Sequence, residues 1–500
     1  MEIKVETRPL MRGNGETLIL GIYQEDSLSA DIKRIDRDLG GKIENVWTTK
    51  EFSGKFLETL LIRTDHKAVP RILLVGLGLA KEITLDKIRQ AMGKAATTVR
   101  AAGGTKMAVP LFGMGSASDV AQAMVEGVIL SLYQFNLYKT DLKEDEKEIT
   151  GLTILVSDPS KKMGVSKGAL HGQWIAEAVN STRTLCTLPG NVLTPTRMEQ
   201  EAKQLSQAYP IDVKVLERSE AEALGMGAFC GVARGTAEPP KFIVLEYKGQ
   251  RALRGAKGKP IALVGKSVTF DTGGISLKPA EDMEKMKYDM SGGAAVLSAM
   301  KVAAQMKLPL HIVGILPATD NMPGGNAIHP GDIVKTLSGK TVEVINTDAE
   351  GRLCLADAIT YSLRYKPQAI IDLATLTGAC VVALGQHAMA LFGNNPKLIS
   401  AIQQASEATC EKVWPMPVWD DYYSQIKSDV ADLKNTGGRP AGSITAALFL
   451  KQFTNDVPWV HLDIAGVAWN GDKPRPYTPK GSTGAGVRLL VKYLTHLAGR

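Results

Sequence analysis

Apolar runs alternate with amphipathic stretches along the whole chain. In the first third, 17-TLILGIY-23, 56-FLETLLIR-63, 71-RILLVGLG-78, 107-MAVPLF-112 and 152-LTILVS-157 have the length and branching of strands, and 84-TLDKIRQAMGKAATTVRAAG-103 has helical spacing between them. Repeated strand and helix predict an α/β fold. A polar break at 158-DPSKKMGVSK-167, a helical stretch to about Leu185 and the Pro/Gly-punctuated 188-LPGNVLTPTR-197 mark a boundary bridged by a helix. Beyond it, 241-KFIVLEY-247, 260-PIALVG-265, 310-LHIVGIL-316, 369-AIIDLAT-375 and 459-WVHLDIA-465 are apolar throughout, as strands buried on both faces are. Helical patterns at 293–306, 353–365 and 444–453 lie between them. The expectation is two α/β domains. The smaller spans residues 1–160, with an oligomerisation or nucleic-acid role open to it. The larger spans 161–500, a linker helix and then a catalytic domain whose mainly parallel central sheet is flanked by helices.

Composition narrows the class. With 44% AVILMFWYC and 22% DEKR, the 500-residue chain has material for large cores and lacks the bias of disordered or coiled-coil proteins. No uncharged apolar run approaches the ~18 residues that span a bilayer, and charges interrupt the N-terminal apolar stretch where a signal peptide is clean. A cytoplasmic protein with no membrane partner is expected. The five cysteines (Cys186, Cys230, Cys354, Cys380, Cys410) form no CxxC pair, which argues against a disulfide framework or a cysteine–zinc site. A net charge of +7 is small for this length and does not itself call for nucleic acid. Locally, 248-KGQRALRGAKGK-259 carries five cations and no acid; a solvated loop is the ordinary account, and DNA or anion binding the sharper one.

Two phosphate-loop patterns fail. After Gly76 and Gly78 the third GxGxxG position is Lys81, and the first glycine of a P-loop ending at Gly265-Lys266-Ser267 would fall on Pro260. The residues after Lys266, Val-Thr-Phe-Asp-Thr-Gly-Gly, carry a turn signature where a P-loop needs a helix. What remains is a dense set of acids and bases beside predicted strands: Lys266, Asp271 and Lys278 in 263-LVGKSVTFDTGGISLK-278, Asp289 in 287-KYDMSGG-293, and Asp348, Glu350 and Arg352 in 346-NTDAEGRL-353. Loops at the carboxyl ends of strands in an open α/β sheet can converge on one crevice. In a locally extended chain Asp348 and Glu350 point the same way, and Gly351 lets the backbone approach a ligand.

Four carboxylates in one crevice are costly unless cations or protons neutralise them, and two divalent metals would balance the charge. Carboxylate-rich ligation without histidine points to Mn²⁺, Mg²⁺ or a bimetallic zinc site, and no HExxH motif is present. Lys266 could join such a shell only as the neutral amine. Taken singly, each acid is better explained by a surface salt bridge or a turn cap.

Taken together, NTDAEGRL and the Lys266/Asp271/Lys278/Asp289 spacing resemble the leucyl aminopeptidase family, the cytosolic M17-type metallo-exopeptidases. The resemblance runs from about Leu188 to the C-terminus and includes 372-DLATLTGAC-380 and 435-NTGGRPAGSITAALFL-450; the first ~160 residues share the family's N-terminal domain only in general pattern. It implies peptide substrates, release of N-terminal leucine and other apolar residues, two divalent ions (Mn²⁺ or Zn²⁺) and a homohexamer. It also implies residue roles. Asp271 and Glu350 would bridge both metals, Lys266 and Asp289 would complete the tighter site, and Asp348 the more exchangeable one. Lys278 would hold the substrate carbonyl oxygen, Arg352 a bicarbonate acting as general base, and Met286, Thr375 and Gly378 would line the pocket for the first side chain. A two-metal phosphoesterase would use much the same carboxylates, and a DNA-binding accessory role is the non-enzymatic alternative.

Overall fold

The computed structural model describes residues 1–500 apart from 14, 15, 26, 142–146, 250–257, 472, 473 and 500. Most of the basic stretch 248–259, including Arg251, Arg254 and Lys257, therefore lies outside the described residues. The chain divides into two compact units, Met1–Glu177 with Asp472–Pro479, and Ala178–Gly471 with Lys480–Arg500. The 26-residue helix Lys162–Thr187 contains the point of division.

The first unit is built on a six-stranded sheet of β1 (Glu2–Glu6), β2 (Thr17–Tyr23), β3 (Thr59–Arg63), β4 (Arg71–Gly78), β5 (Lys106–Pro110) and β6 (Gly151–Leu155), in the order β1-β6-β5-β2-β4-β3. Only β3 runs against its neighbour. The two-residue period of a strand sorts its side chains: Ile19, Leu73 and Val75 join the core under helices Leu85–Ala101 and Ala117–Ser131, while Leu18, Leu20, Ile72 and Leu74 pack with Ile32, Ile35 and Ile43 on the other face. The glycines of the failed dinucleotide pattern have a packing reason, since a Cβ on Gly76 would lie 1.8 Å from the Lys55 carbonyl oxygen.

The second unit carries a nine-stranded sheet: β7 (Ile211–Leu216), β8 (Lys241–Lys248), β9 (Ile261–Gly265), β10 (Ser267–Asp271), β11 (His311–Asn321), β14 (Ala369–Ala374), β15 (Met389–Gly393), β16 (Val413–Pro415) and β18 (Trp459–Asp463). A smaller sheet joins β12 (Ile333–Lys335), β13 (Thr341–Glu343) and β17 (Leu433–Lys434), and β19 (Trp469–Asn470) pairs with β20 (Gly481–Ser482). Strands β18, β14, β9 and β11 lie side by side and parallel, with β10 parallel along the end of β11. From β9 the chain goes first to β11 on one side and later to β14 on the other, so the strand order reverses between β9 and β14. Their carboxyl ends are where an α/β sheet leaves an open crevice.

Both faces of this sheet are covered, as the unbroken apolar strands predict. Ala262, Val264, Val313, Ile315 and Ile370 pack with helices Gly351–Ser362 and Gly442–Lys451, whereas Gly314 faces Val296 and Met300 of helix Ser291–Gln305. The predicted α/β class holds in both units. The sequence pattern passed over β1, β7, β15 and the small sheet, whose runs are short or carry charge. It also expected a turn straight after Lys266, where the chain instead forms β10 and turns only at Gly273 and Gly274, with φ of 87° and 66°.

Asp357 ties the helix Gly351–Ser362 to its surroundings. Buried at 0% exposure, it accepts hydrogen bonds from the backbone N–H groups of Ala228 (3.1 Å), Phe229 (2.9 Å) and Leu337 (2.7 Å). Burial pushes its carboxyl up to about 7 against the pull of those donors. Because this folded value lies above that of an unfolded carboxyl, about 4, the native state holds the proton more tightly. The stability contributed by the shift is full at low pH and is lost as pH rises from about 4 through about 7. Asp357→Ala, which strands two buried donors and one part-buried donor, is expected to cost about 3 kcal/mol in a denaturant titration near pH 5. That deficit should shrink toward pH 8. A deficit that stays constant from pH 5 to pH 8 would show that the group is ionised throughout.

Candidate metal centre

Backbone packing at the β9–β14 reversal brings the predicted site together. Lys266 follows β9 directly, its N–H bonded to the Leu373 carbonyl of β14 and its carbonyl accepting from Gly293. That second bond draws the start of helix Ser291–Gln305 onto the strand ends. Only glycine fits there: a Cβ on Gly292 would lie 2.1 Å from the Leu373 oxygen, and one on Gly293 would lie 2.0 Å from Ser267 Oγ. Asp289, two residues before the helix, is thereby set beside Lys266. At the far end of β10, Asp271 pairs in register with Asn321, and Asn321 Nδ2 donates to Asp271 Oδ1 at 2.8 Å and to the Thr347 carbonyl at 3.1 Å. The 346–350 segment is not extended as expected. Asn346 Oδ1 accepts from the Asp348 N–H at 2.8 Å, folding a turn, and Glu350 takes helical angles (φ −75°, ψ −37°) ahead of helix Gly351–Ser362.

The result is one cluster. Carboxylate oxygens of Asp271, Asp348 and Glu350 lie within 4.8 Å of one another. Lys266 Nζ stands 2.7 Å from Asp289 Oδ2 and 2.8 Å from Glu350 Oε1, and also donates to the Thr375 carbonyl at 2.9 Å. Lys278 Nζ lies 2.8 Å from Asp271 Oδ2 and also contacts Asp348. Lys266, Asp271, Asp289 and Glu350 are buried; Lys278 and Asp348 form the rim, their side chains 21% and 33% exposed.

The charges shift one another. Burial would depress the Lys266 ammonium, but Asp289, Glu350 and Asp271 outweigh it and hold the group above its ordinary value; Lys278 is raised in the same way by Asp271, Glu350 and Asp348. Burial raises Asp289, Asp348 and Glu350 despite these lysines. Four carboxylates thus face three cations, counting Arg352. Asp289 Oδ2, Asp348 Oδ1 and Glu350 Oε1 are buried without a hydrogen bond, their lysine contacts being ion pairs that lack hydrogen-bond geometry. Buried carboxylate oxygens held only by ammonium groups are hard ligands that a divalent cation can take over, so the residues fit metal ions. A lysine amine among them can be a ligand only after losing the proton its acid neighbours now retain.

Arg352 is 6% exposed, and burial lowers its guanidinium to about 10 against Glu350, Asp463 and Asp348, leaving it charged at neutral pH. Its Nη1 donates to the Asn435 carbonyl at 2.8 Å, and its Nε is buried without a partner. Of the three residues expected at a side-chain pocket, Met286 is half-buried in the turn Met283–Tyr288 and Gly378 is exposed at the start of helix Gly378–Leu384. Thr375 differs: its Oγ1 donates to Asp289 Oδ1 at 2.7 Å and to the Asp289 carbonyl at 3.1 Å, so it buttresses an acid of the cluster.

Sequence reasoning missed the neutral side chains that orient the acids, namely Asn321, Thr347, Ser276 and Asn435. Thr347 Oγ1 donates to the Gly273 carbonyl at 2.6 Å and accepts from Ser276 N–H at 2.8 Å, and Ser276 Oγ accepts from Thr347 N–H at 3.1 Å, joining the Asp271 and Asp348 loops. Thr347 and Asn435 lie in the strings 346–353 and 435–450, but residue type and spacing do not reveal these roles, because the partners, mostly main-chain atoms, are brought near only by folding.

Comparison with known proteins adds an independent finding. The model of the cytosol aminopeptidase family, catalytic domain, matches residues 180–491, and that of the N-terminal domain of the same family matches residues 19–142. A probable cytosol aminopeptidase of Geobacter sp. (strain M21) is 44% identical over 495 residues, 99% of each chain. One of Geobacter sulfurreducens is 45% identical over 501 residues, again 99% of each. Among solved structures, a tomato leucine aminopeptidase mutant is 33% identical with a TM-score of 0.87, covering 99% of this chain and 96% of that one. The bottromycin maturation enzyme BotP in complex with Mn is 32% identical with a TM-score of 0.84, covering 97% and 100%.

Gly351 provides a test of the packing. A Cβ there would lie 2.5 Å from Lys266 Cε and 2.8 Å from its Nζ, so the glycine leaves room for the lysine. Lys266 is held by Asp289, Glu350 and the Thr375 carbonyl and cannot yield freely. Gly351→Ala is expected to cost about 1–3 kcal/mol of stability, the usual penalty of overpacking. Mn²⁺ binding measured by calorimetry should weaken about tenfold or more, about 1.4 kcal/mol. Unchanged Mn²⁺ affinity would show that Lys266 moves aside without consequence.

Proposed function

The chain belongs to the cytosol aminopeptidase family and is an aminopeptidase, a hydrolase that removes N-terminal residues from peptides; from that premise we propose that it acts with two divalent cations held by Lys266, Asp271, Asp289, Asp348 and Glu350 and prefers leucine and other apolar residues. The observation that carries the reading is the buried cluster of carboxylates with three oxygens lacking hydrogen bonds. Asp271 and Glu350 would serve both ions, Lys266 and Asp289 one, and Asp348 the other. Mn²⁺ and Zn²⁺ suit the donors, and the solved relative in complex with Mn supports the first. No described helix is long and apolar enough to cross a membrane. A cytoplasmic homohexamer, with catalysis in residues 161–500, belongs to the same proposal.

Divalent ions at these ligands would polarise a peptide carbonyl and lower the proton affinity of water. The chain's own groups do the rest. Lys278, at the rim between Asp271 and Asp348, offers its ammonium to the carbonyl oxygen as negative charge develops there. Lys266 would hold a cation as the neutral amine, its proton released to solvent. Met286, Thr375 and Gly378 would bound the space for the first side chain. With the carboxylates of the cluster committed to ligation, the site lacks a free protein base, and a bicarbonate on Arg352 would supply one. Arg352 suits a planar oxyanion: its charge is permanent at neutral pH, one Nη is anchored on the Asn435 carbonyl, and its Nε is a buried donor without an acceptor.

Two measurements test this. Metal analysis of the active protein should find two divalent ions per chain, chelation should abolish hydrolysis of a leucine anilide, and Asp289→Asn should weaken one ion more than the other. Full activity in metal-free protein would end the proposal. Arg352→Ala should lower kcat by about 10²–10⁴, the usual worth of general-base assistance, with KM and metal content nearly unchanged. Wild-type rate should fall in bicarbonate-free buffer and return on readdition. A variant that keeps its rate within about threefold, or loses its metals, would make Arg352 a structural anchor.

A further inference from the structure

Parallel pairing of β13 with β17, with Val342 opposite Leu433 and Glu343 opposite Lys434, brings the residue that follows β17 to the loop that carries Asp348 and Glu350. That residue is Asn435, which extends the pairing by donating its N–H to the Glu343 carbonyl at 3.0 Å. Its side chain is wholly buried and uses both ends of the amide on one loop. Oδ1 accepts from the N–H groups of Ile345 at 2.8 Å and Asn346 at 3.3 Å, and Nδ2 donates to the carbonyls of Asn346 at 2.7 Å and Ala349 at 3.4 Å. The carbonyl of the same residue accepts from Arg352 Nη1 at 2.8 Å. One residue therefore holds the loop that presents Asp348 and Glu350 from its inner side and fixes where the Arg352 guanidinium sits.

We propose that Asn435 is a positioning residue for the reaction: its amide fixes the 345–349 loop, and through that loop its own carbonyl sets Arg352 at the distance at which the guanidinium can hold its anion. The proposal rests on the roles given above to Asp348 and Arg352. Its chemistry is specific, because the loop presents N–H groups and carbonyls side by side, and only a planar group with an acceptor and a donor pairs with both. Aspartate, nearly the same shape, would face the Asn346 and Ala349 carbonyls with a second acceptor. Alanine would leave buried N–H groups without partners. In either case the backbone at 435 is released from the loop, and the carbonyl that anchors Arg352 moves with it.

The test is a double-mutant cycle between Asn435 and Arg352, read on kcat with a leucine anilide and, separately, on Mn²⁺ binding by calorimetry. Asn435→Ala should lower kcat about 10- to 100-fold with KM changed less than about threefold. In the Arg352→Ala background it should lower kcat by less than about threefold, because most of its effect is exerted through the arginine. It should also weaken the more exchangeable of the two Mn²⁺ ions while leaving the tighter one. Asn435→Ser, whose hydroxyl can accept from one N–H or donate to one carbonyl, should fall between alanine and wild type, and it serves where the alanine variant does not fold. Multiplicative losses in the double variant, or equal losses at both Mn²⁺ ions, would overturn the positioning role while leaving the function of Arg352 intact. If Arg352→Ala alone keeps the wild-type rate, the parent reading of Arg352 has failed, and the part of this inference that runs through it goes too.

Discussion

A lysine ammonium buried at 3% exposure is tolerable only with opposite charge around it, and Lys266 has that charge from Asp289 and Glu350 on either side. The converse holds with equal force, since two buried carboxylates beside Asp271 would repel one another without a cation. Much of the local architecture can be understood as keeping these charges in place: the β9–β14 reversal that supplies Lys266, the helix start that supplies Asp289, and the turn that supplies Glu350. The ammonium occupies a position between carboxylates that a metal ion would share. Binding of divalent cations there would release the Lys266 proton, so part of the incoming charge would replace charge the site already holds.

That arrangement depends on absent side chains. Gly292 and Gly293 let a helix start touch the strand ends, and Gly351 leaves room for the lysine stem. At Gly273 and Gly274 the chain turns back with positive φ, and a Cβ on the second would meet Asn321 Oδ1 at 2.8 Å and Thr347 Oγ1 at 3.0 Å. Acids can crowd this closely because the backbone around them is bare. The neutral amides and hydroxyls then remove the remaining freedom, Asn321 on Asp271, Thr375 on Asp289 and Asn435 on the 345–349 loop. A carboxylate held by a fixed donor keeps one oxygen directed at its ligand, and metal and hydrolytic sites need that order before substrate arrives.

Much of this was legible in residue order. Apolar runs without polar alternation announced a sheet buried on both faces, because such strands have no solvent side. Acids and lysines placed at strand ends announced a crevice, because that is where an α/β sheet opens, and the octet 346–353 pointed to the family. What the sequence determined by itself was thus the inventory: the fold class, the charged groups of the site, and the need for cations to balance them. Tertiary structure alone decided their relations. Thr375 is a buttress of Asp289 because the β14 end meets the helix start. Glu350 turns into a helix instead of extending because Asn346 caps the turn before it. Asn435, almost 90 residues along the chain from Asn346, comes within hydrogen-bond reach of it because β13 and β17 pair in one register. Spacing in sequence carries the chemistry of a side chain and its local period, whereas a partner made of main-chain atoms in a distant segment exists only once the chain has closed on itself.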